Sequence, residues 1–385
     1  MIKFSLNGKE INYSGNPDIS LLNFLRNEYG ITSVKDGCSG QTACGACMVE
    51  IDGKAKLACV TLMKNLQNTS VITTDGIPNE VLDVIAKAFV AKGAVQCGFC
   101  TPGLIMRTKV LFQEKPDANR EEIRKAIGLN LCRCTGYVKI VDAIELALKA
   151  LKNGEKIQLP INKGHTGENL PKYNAYDTAI GKRLFVNDIK LPGMLFGALK
   201  FSDYPRAIVK KIDITQAKKI NGVIKIFTYE DIPGNKYQGI VYNDWPLMIG
   251  IGETTNYIGD VIAGVVAETA EIARAAAKKI IVEYEILDPV VDIFEAIKPA
   301  APQVHKGKSN ILDTCRIKRG NYDKIISESA YVVSGKFETQ RIEHAFLEPE
   351  SALAYVNNNR LELYSQGQGI YVDRRQIASL LNLPE

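Results

Sequence analysis

Nine cysteines punctuate this 385-residue chain, and eight of them fall between Cys38 and Cys134. Four form one set, Cys38-x5-Cys44-x2-Cys47-x11-Cys59. The other four are two short pairs, Cys97-x2-Cys100 and Cys132-x-Cys134. The opening residues, Met1 to Ser14, alternate apolar and polar around an Asn7-Gly8 turn, so they read as strand and not as a signal peptide's apolar core. The expectation is a cytoplasmic protein whose thiols stay reduced. In that setting, dense cysteine means metal or redox chemistry before it means disulfides.

The first set sits in Gly37-Cys-Ser-Gly-Gln-Thr-Ala-Cys-Gly-Ala-Cys. A [2Fe–2S] cluster needs four thiolates, two for each tetrahedral iron, and a loop giving three with a fourth from the next strand supplies them. The small residues Gly37, Ser39, Gly40, Ala43, Gly45 and Ala46 let backbone N–H groups approach the sulfides, where hydrogen bonds help set the potential. The alternative is structural zinc, which more often takes two separated Cys-x-x-Cys pairs. The second set has just such a paired form, and its residues alone leave zinc and a cluster both open. Gly98 and Gly136 beside the ligands suit close approach to sulfide, and Cys-x-Cys is unusual for zinc. Cys315 stands alone and reads as an ordinary buried thiol.

These ligands must be positioned by local elements. Up to residue 76, Ile2, Phe4 and Leu6 alternate, Ile11 and Tyr13 return after the turn, and Leu21, Leu22, Phe24 and Leu25 form an apolar helical patch. Met48, Val49 and Ile51, the Asp52-Gly53 turn and Leu57 predict a second hairpin, closed by Val71 to Thr73. That order predicts a β-grasp, ferredoxin-like sheet. From 77 to 151 the period becomes helical: Val81, Leu82, Ile85 and Phe89 share a face, Thr101-Pro102 marks a helix start, and Asn119 with Glu122 has the form of a capping box. Tyr137 to Leu151 completes a four-helix bundle. Residues 152–175 are rich in Gly, Pro, Asn and Lys and read as a linker. Beyond lies an α/β segment with strands at Leu195–Phe201, Val223–Thr228 and Val261–Ala267 and a helix from Ala270 to Lys279. An irregular stretch, Lys298 to Asn310, precedes further strands and a helix from Gly369 to Leu381. The whole is a multi-domain α+β chain.

Gln96-Cys-Gly-Phe-Cys-Thr-Pro-Gly and Asn130-Leu-Cys-Arg-Cys-Thr-Gly-Tyr resemble the iron–sulfur half of the molybdenum hydroxylases, the xanthine dehydrogenases, aldehyde oxidoreductases and relatives. The resemblance implies that Cys38, Cys44, Cys47 and Cys59 bind one [2Fe–2S] cluster and Cys97, Cys100, Cys132 and Cys134 another. It also implies that Gln96 and Cys134 touch the molybdopterin of the molybdenum cofactor. Residues 176–297 look like the family's α/β hammerhead domain, carrying Tyr257-Ile-Gly-Asp-Val-Ile-Ala-Gly-Val-Val-Ala-Glu. Residues 298–385, with Glu343-His-Ala-Phe-Leu-Glu-Pro-Glu and Tyr364-Ser-Gln-Gly-Gln, look like the start of its molybdopterin-binding domain. There Gln366 matches a glutamine that hydrogen-bonds a molybdenum oxo ligand. Read without the family, His344 and Glu348 are spaced like a metal pair, but Phe346 and Leu347 between them predict a half-buried strand.

The iron–sulfur half runs into the hammerhead with no flavin domain between, as in flavin-free aldehyde oxidoreductases and in a fused selenium-dependent group. The resemblance therefore implies oxidation of an aldehyde or purine-like heterocycle. Electrons would leave singly through the helical-domain cluster and then the β-grasp cluster to a separate flavin subunit or other acceptor. The sequence stops at Leu380-Leu-Asn-Leu-Pro-Glu, so the general base is expected beyond Glu385, in a remaining molybdenum-binding part or subunit. A homodimer is expected for the complete enzyme. The alternative is an electron-transfer or assembly subunit that pairs with a separate molybdenum chain. The net charge of +5 is diffuse, which favours no nucleic-acid partner, and the longest apolar run, Val261 to Ala267, is far below the ~18 residues of a membrane helix.

Overall fold

The computed structural model describes residues 1–161 and 163–385. They form two compact units, Met1–Ile189 with Thr339–Gln366, and Lys190–Glu338 with Gly367–Glu385.

The first unit opens with β1 (Ile2–Leu6) and β2 (Lys9–Tyr13), paired antiparallel with Ile2 opposite Tyr13. The turn between them places Asn7 at φ 51° and Gly8 at φ 80°, the left-handed pair that a tight hairpin requires. β3 (Met48–Ile51) and β4 (Lys54–Leu57) repeat the device around Asp52 and Gly53. β5 (Ser70–Ile72) runs parallel to β1 and antiparallel to β3, which gives the five-stranded order β2-β1-β5-β3-β4. Phe4, Leu6, Val49 and Val71 pack against Leu21, Leu22, Phe24 and Leu25 of a short helical segment. The expected β-grasp is thus present.

Four helices follow, Asn79–Ala91, Thr101–Glu114, Arg120–Ala126 and Val138–Asn153. Phe89, Leu104, Ile105, Ile144 and Leu148 are buried in their core. Asn119 and Glu122 make the expected capping box. Two helix starts lie one residue from their expected places. Cys100, and not Thr101, is the N-cap of the second helix, and the fourth begins after Tyr137, which is left-handed at φ 69°. A buried ion pair from Lys109 to Glu50 on β3 joins bundle and sheet.

The stretch where the third domain is expected to begin, at residue 176, groups with this unit as far as Ile189. The expected linker ends at residue 175, and Ala175, Thr178, Ala179, Ile180 and Phe185 are buried. Tyr176 donates its hydroxyl to Asp83 at 3.0 Å, and Asp188 accepts from Lys35 Nζ at 2.5 Å and Arg26 at 2.7 Å. Lys35 itself is completely buried.

Residues 339–366 return to the same unit. The half-buried strand expected around Phe346 is absent: the segment is irregular, Ala345 is left-handed at φ 47°, Phe346 is exposed and Leu347 is buried. A regular strand is incompatible with a left-handed alanine. A hairpin of Leu353–Asn357 and Arg360–Tyr364 follows.

The second unit is a three-stranded antiparallel sheet with Val261–Ala267 between Phe196–Phe201 and Val223–Phe227. Helix Ala270–Lys278 covers it with Ala273, Ala276 and Ala277, whose small side chains permit close packing. A ribbon of Ala207–Asp213 and Ile281–Ile286, which the sequence pattern did not disclose, lies beside it. Helix Ile370–Leu381 belongs here too, accepting at the Leu380 and Ser379 carbonyls from Gly234 and Asn235. Cys315, expected to be buried, is exposed, as are the residues on either side of it.

Candidate metal centres

The first cysteine set is assembled by a loop and a hairpin. Asp36 Oδ1 accepts from the Ser39 backbone N–H at 2.8 Å and turns the chain into the loop. Ser39, Gly40, Thr42 and Gly45 then all adopt positive φ, a run that curls the backbone around the thiols. Cys47 immediately precedes β3 and Cys59 follows β4. The Ala58 N–H to Cys47 carbonyl bond, 3.1 Å, fixes one against the other. The thiols come together as pairs: Cys38 with Cys44, and Cys47 with Cys59. Burial pushes the Cys44 thiol up to about 11 and Cys47 higher still. Cys38 is also penalised by burial, yet N–H groups of Ala43, Cys44 and Gln41 and the Cys44 thiol donate to it and bring it below the usual thiol value. Gly37 and Ala46 donate likewise to Cys44, and Cys59 to Cys47. Such N–H···S bonds are what a thiolate-bound cluster uses to stabilise its charge.

The second set comes from helix ends. Cys97 follows the first helix of the bundle and Cys100 caps the second. Cys132 and Cys134 lie in the turn before the fourth. Cys134 Sγ is 3.5 Å from Cys97 Sγ, and Cys100 pairs with Cys132. The Cys100 thiol donates to Cys132, which pulls Cys132 down to about 5 and raises Cys100 well above the usual value. Cys97 is pushed up to about 11, first by burial. Among the described residues, no three His, Cys, Asp or Glu side chains converge on one point. The eight thiols stand as four pairs.

Residues that the ligand spacing did not single out hold this second turn. The Tyr137 hydroxyl accepts from the Cys132 N–H at 2.9 Å and donates to the Asn130 carbonyl at 3.3 Å. Thr135 Oγ1 lies 3.2 Å from Cys132 Sγ. Both lie inside the Asn130–Tyr137 motif, so a polar side chain at fixed distance from a candidate ligand was the available signal. Arg133, between Cys132 and Cys134, donates to the His344 carbonyl at 2.7 Å and the Glu343 carbonyl at 2.5 Å.

The two sets are joined directly. Leu131 N–H donates to the Cys44 carbonyl at 2.8 Å, and Asn130 Nδ2 to the Gly45 carbonyl at 3.1 Å. The approach is so close that a β-carbon at Gly45, whose φ is 67°, would stand 2.2 Å from the Leu129 carbonyl oxygen. Only glycine fits there.

Gln96 is exposed, and its carbonyl accepts from Lys172 Nζ at 2.5 Å. Gln366 lies elsewhere in the unit, where its Oε1 accepts from Ser351 N–H and its Nε2 donates to the Pro349 carbonyl, both at 2.9 Å. By inventory, one Nε2 hydrogen is left for a further acceptor. His344 enters the site through its backbone carbonyl.

Four family descriptions match the chain in order. They are "2Fe-2S iron-sulfur cluster binding domain" at residues 4–64, "[2Fe-2S] binding domain" at 73–145, "Aldehyde oxidase and xanthine dehydrogenase, a/b hammerhead domain" at 180–288 and "Molybdopterin cofactor-binding domain" at 304–385. The aldehyde oxidoreductase of Megalodesulfovibrio gigas is 33% identical over 97% of this chain and 43% of its own length. The small FeS subunit of nicotinate dehydrogenase from Eubacterium barkeri is 40% identical over 97% of its length and 40% of this chain. The solved aldehyde oxidoreductase of Desulfovibrio gigas superposes with a TM-score of 0.90 at 30% identity, covering all of this chain and 45% of that one. The chain therefore spans less than half the length of the aldehyde oxidoreductases it matches.

Proposed function

Since the chain belongs to the molybdenum hydroxylase family, we propose that it is the iron–sulfur, electron-transferring portion of an oxidoreductase that oxidises an aldehyde or a purine-like heterocycle. The observation that carries this reading is the pairing of the eight thiols. Cys38/Cys44 with Cys47/Cys59, and Cys97/Cys134 with Cys100/Cys132, offer each of two irons two thiolates in each set. A single tetrahedral ion has no need of that split.

Bound at these sites, [2Fe–2S] clusters supply one-electron transfer, from the helical-domain site to the β-grasp site and on to an external acceptor. The chain's own residues do the tuning. N–H groups of Gly37, Gln41, Ala43 and Ala46 at the first site, and of Phe99, Cys134 and Thr135 at the second, donate to ligand sulfurs. The Leu131–Cys44 hydrogen bond holds the sites at one separation. Gln96, Cys134 and Gln366 are the residues proposed to face the molybdopterin, and the residue that acts as general base is proposed to lie in the remaining molybdenum-binding part. In this reading the domains divide at residues 1–76, 77–151, a linker at 152–175, 176–297 and 298–385.

In nicotinate dehydrogenase the corresponding regions are separate small FeS and large molybdopterin subunits, matching 40% and 57% of this chain. That favours a partner subunit that completes the molybdenum site. A separate flavin subunit or other acceptor, a homodimeric assembly and a cytoplasmic location complete the proposal. No described helix is long and apolar enough to cross a membrane.

Anaerobic reconstitution with iron and sulfide, followed by EPR of the dithionite-reduced protein, tests the reading. Two distinguishable signals are expected. One signal, or a colourless protein holding one divalent ion per set, would overturn it.

A further inference from the structure

The glycine before Cys38 and the phenylalanine before Cys100 meet one side chain that comes from much further along the chain, Leu347. A β-carbon at Gly37 would lie 3.1 Å from Leu347 Cδ1 and Cγ and 3.2 Å from the Phe99 ring. Leu347 is therefore packed directly on Gly37, beside Phe99, and it is 8% exposed. Phe99 is fully buried and stacks edge-on with Phe185 at 5.1 Å. Each of Leu347's two neighbours donates its backbone N–H to a ligand sulfur, Gly37 to Cys44 of the first set and Phe99 to Cys97 of the second.

The segment that delivers Leu347 is tied to the second site as well. Arg133, between Cys132 and Cys134, grips the Glu343 and His344 carbonyls with two guanidinium nitrogens. The chain then turns through Ala345 at φ 47°, a conformation that an alanine keeps only when its surroundings impose it. Phe346 is left exposed while Leu347 is directed inward. The strap is thus fastened at one cysteine loop, and its leucine wedges the other.

We infer that Leu347 is a positioning residue for both cysteine sites at once, holding the Gly37 and Phe99 amides on the sulfurs of Cys44 and Cys97. The inference rests on the proposal that both sets hold [2Fe–2S] clusters. An N–H···S bond stabilises the reduced cluster, which carries more negative charge, so a slackened amide lowers the midpoint potential. One side chain in a segment matched to the molybdopterin-binding domain then sets two potentials together.

The test is an EPR-monitored redox titration of the reconstituted full chain, comparing wild type with Leu347→Ala, Leu347→Met and Ile144→Ala. Leu347→Ala is expected to lower both midpoint potentials and alter both signals at unchanged iron content. Leu347→Met, which keeps the volume, should restore both. Ile144→Ala opens a cavity in the helical core away from the ligands, and should lower thermal stability without moving either potential. If Leu347→Ala loses its clusters, Leu347→Val is read in its place. A shift in one potential only, or none, overturns the inference. A rise in both also overturns it, because water entry and not amide positioning would then be the dominant effect. Absence of two signals in the wild type would instead defeat the cluster proposal itself.

Discussion

Cys132 is held from three sides: by the Cys100 thiol, by the Thr135 hydroxyl and by the Tyr137 hydroxyl that accepts its N–H. Its spacing marks it as a candidate ligand, because a [2Fe–2S] cluster takes four thiolates. Its supports were less legible, since a hydroxyl's use depends on the turn it closes. Replacing Tyr137 with Phe leaves the Cys132 N–H and the Asn130 carbonyl without that partner, at a cost of about 1–3 kcal/mol, read by chemical denaturation. Wild-type stability in this variant would show that the hydroxyl is dispensable. Cys132→Ser should remove one of two EPR signals and leave the other, because the sets sit in separate sheet and bundle elements. Equal loss of both would contradict that division. Gln366 already uses one oxygen and one nitrogen on Ser351 and Pro349. In an active complete enzyme, Gln366→Ala should lower turnover while both signals persist, and unchanged turnover would leave it only this structural role.

At the level of elements, hairpins and helices were legible where local chemistry decides them, as at Asn7-Gly8, Asp52-Gly53 and the Asn119–Glu122 capping box. The stretch from 172 to 189 was not, because what orders it is tertiary. Thr178 packs onto Gly98, where a β-carbon would come within 2.0 Å of its methyl, and Asp188 is buried between Lys35 and Arg26. Breaking a buried pair leaves an uncompensated charge, so Asp188→Asn should cost about 3–5 kcal/mol and loosen this stretch, checked by unfolding and limited proteolysis. Burial lowers the Lys35 ammonium below the usual lysine value of 10.5, although Asp188 opposes the shift. Between the lowered value and 10.5 the unfolded chain binds the extra proton, so wild-type stability rises with pH through that window. The Lys35→Met variant should lack this increment. Parallel pH curves for the two proteins would show that Lys35 titrates normally.

Across the whole molecule, the order of the domains followed from cysteine spacing and motif resemblance, and four family matches fall along the chain in that order. What no periodicity could disclose is that residues 339–366 return to the iron–sulfur unit while 367–385 do not. Contacts across two hundred residues leave no local pattern, and Phe346–Leu347 looks the same in a strand as in a strap. The central claim remains that eight cysteines form two four-thiolate sites, each built for two irons. The most direct measurement is the iron, acid-labile sulfide and zinc content of the anaerobically reconstituted chain, taken with its EPR after dithionite reduction. The account predicts about four irons and four sulfides per chain, with two distinct signals. Zinc at about one ion per cysteine set, with no sulfide and no signal, would contradict it.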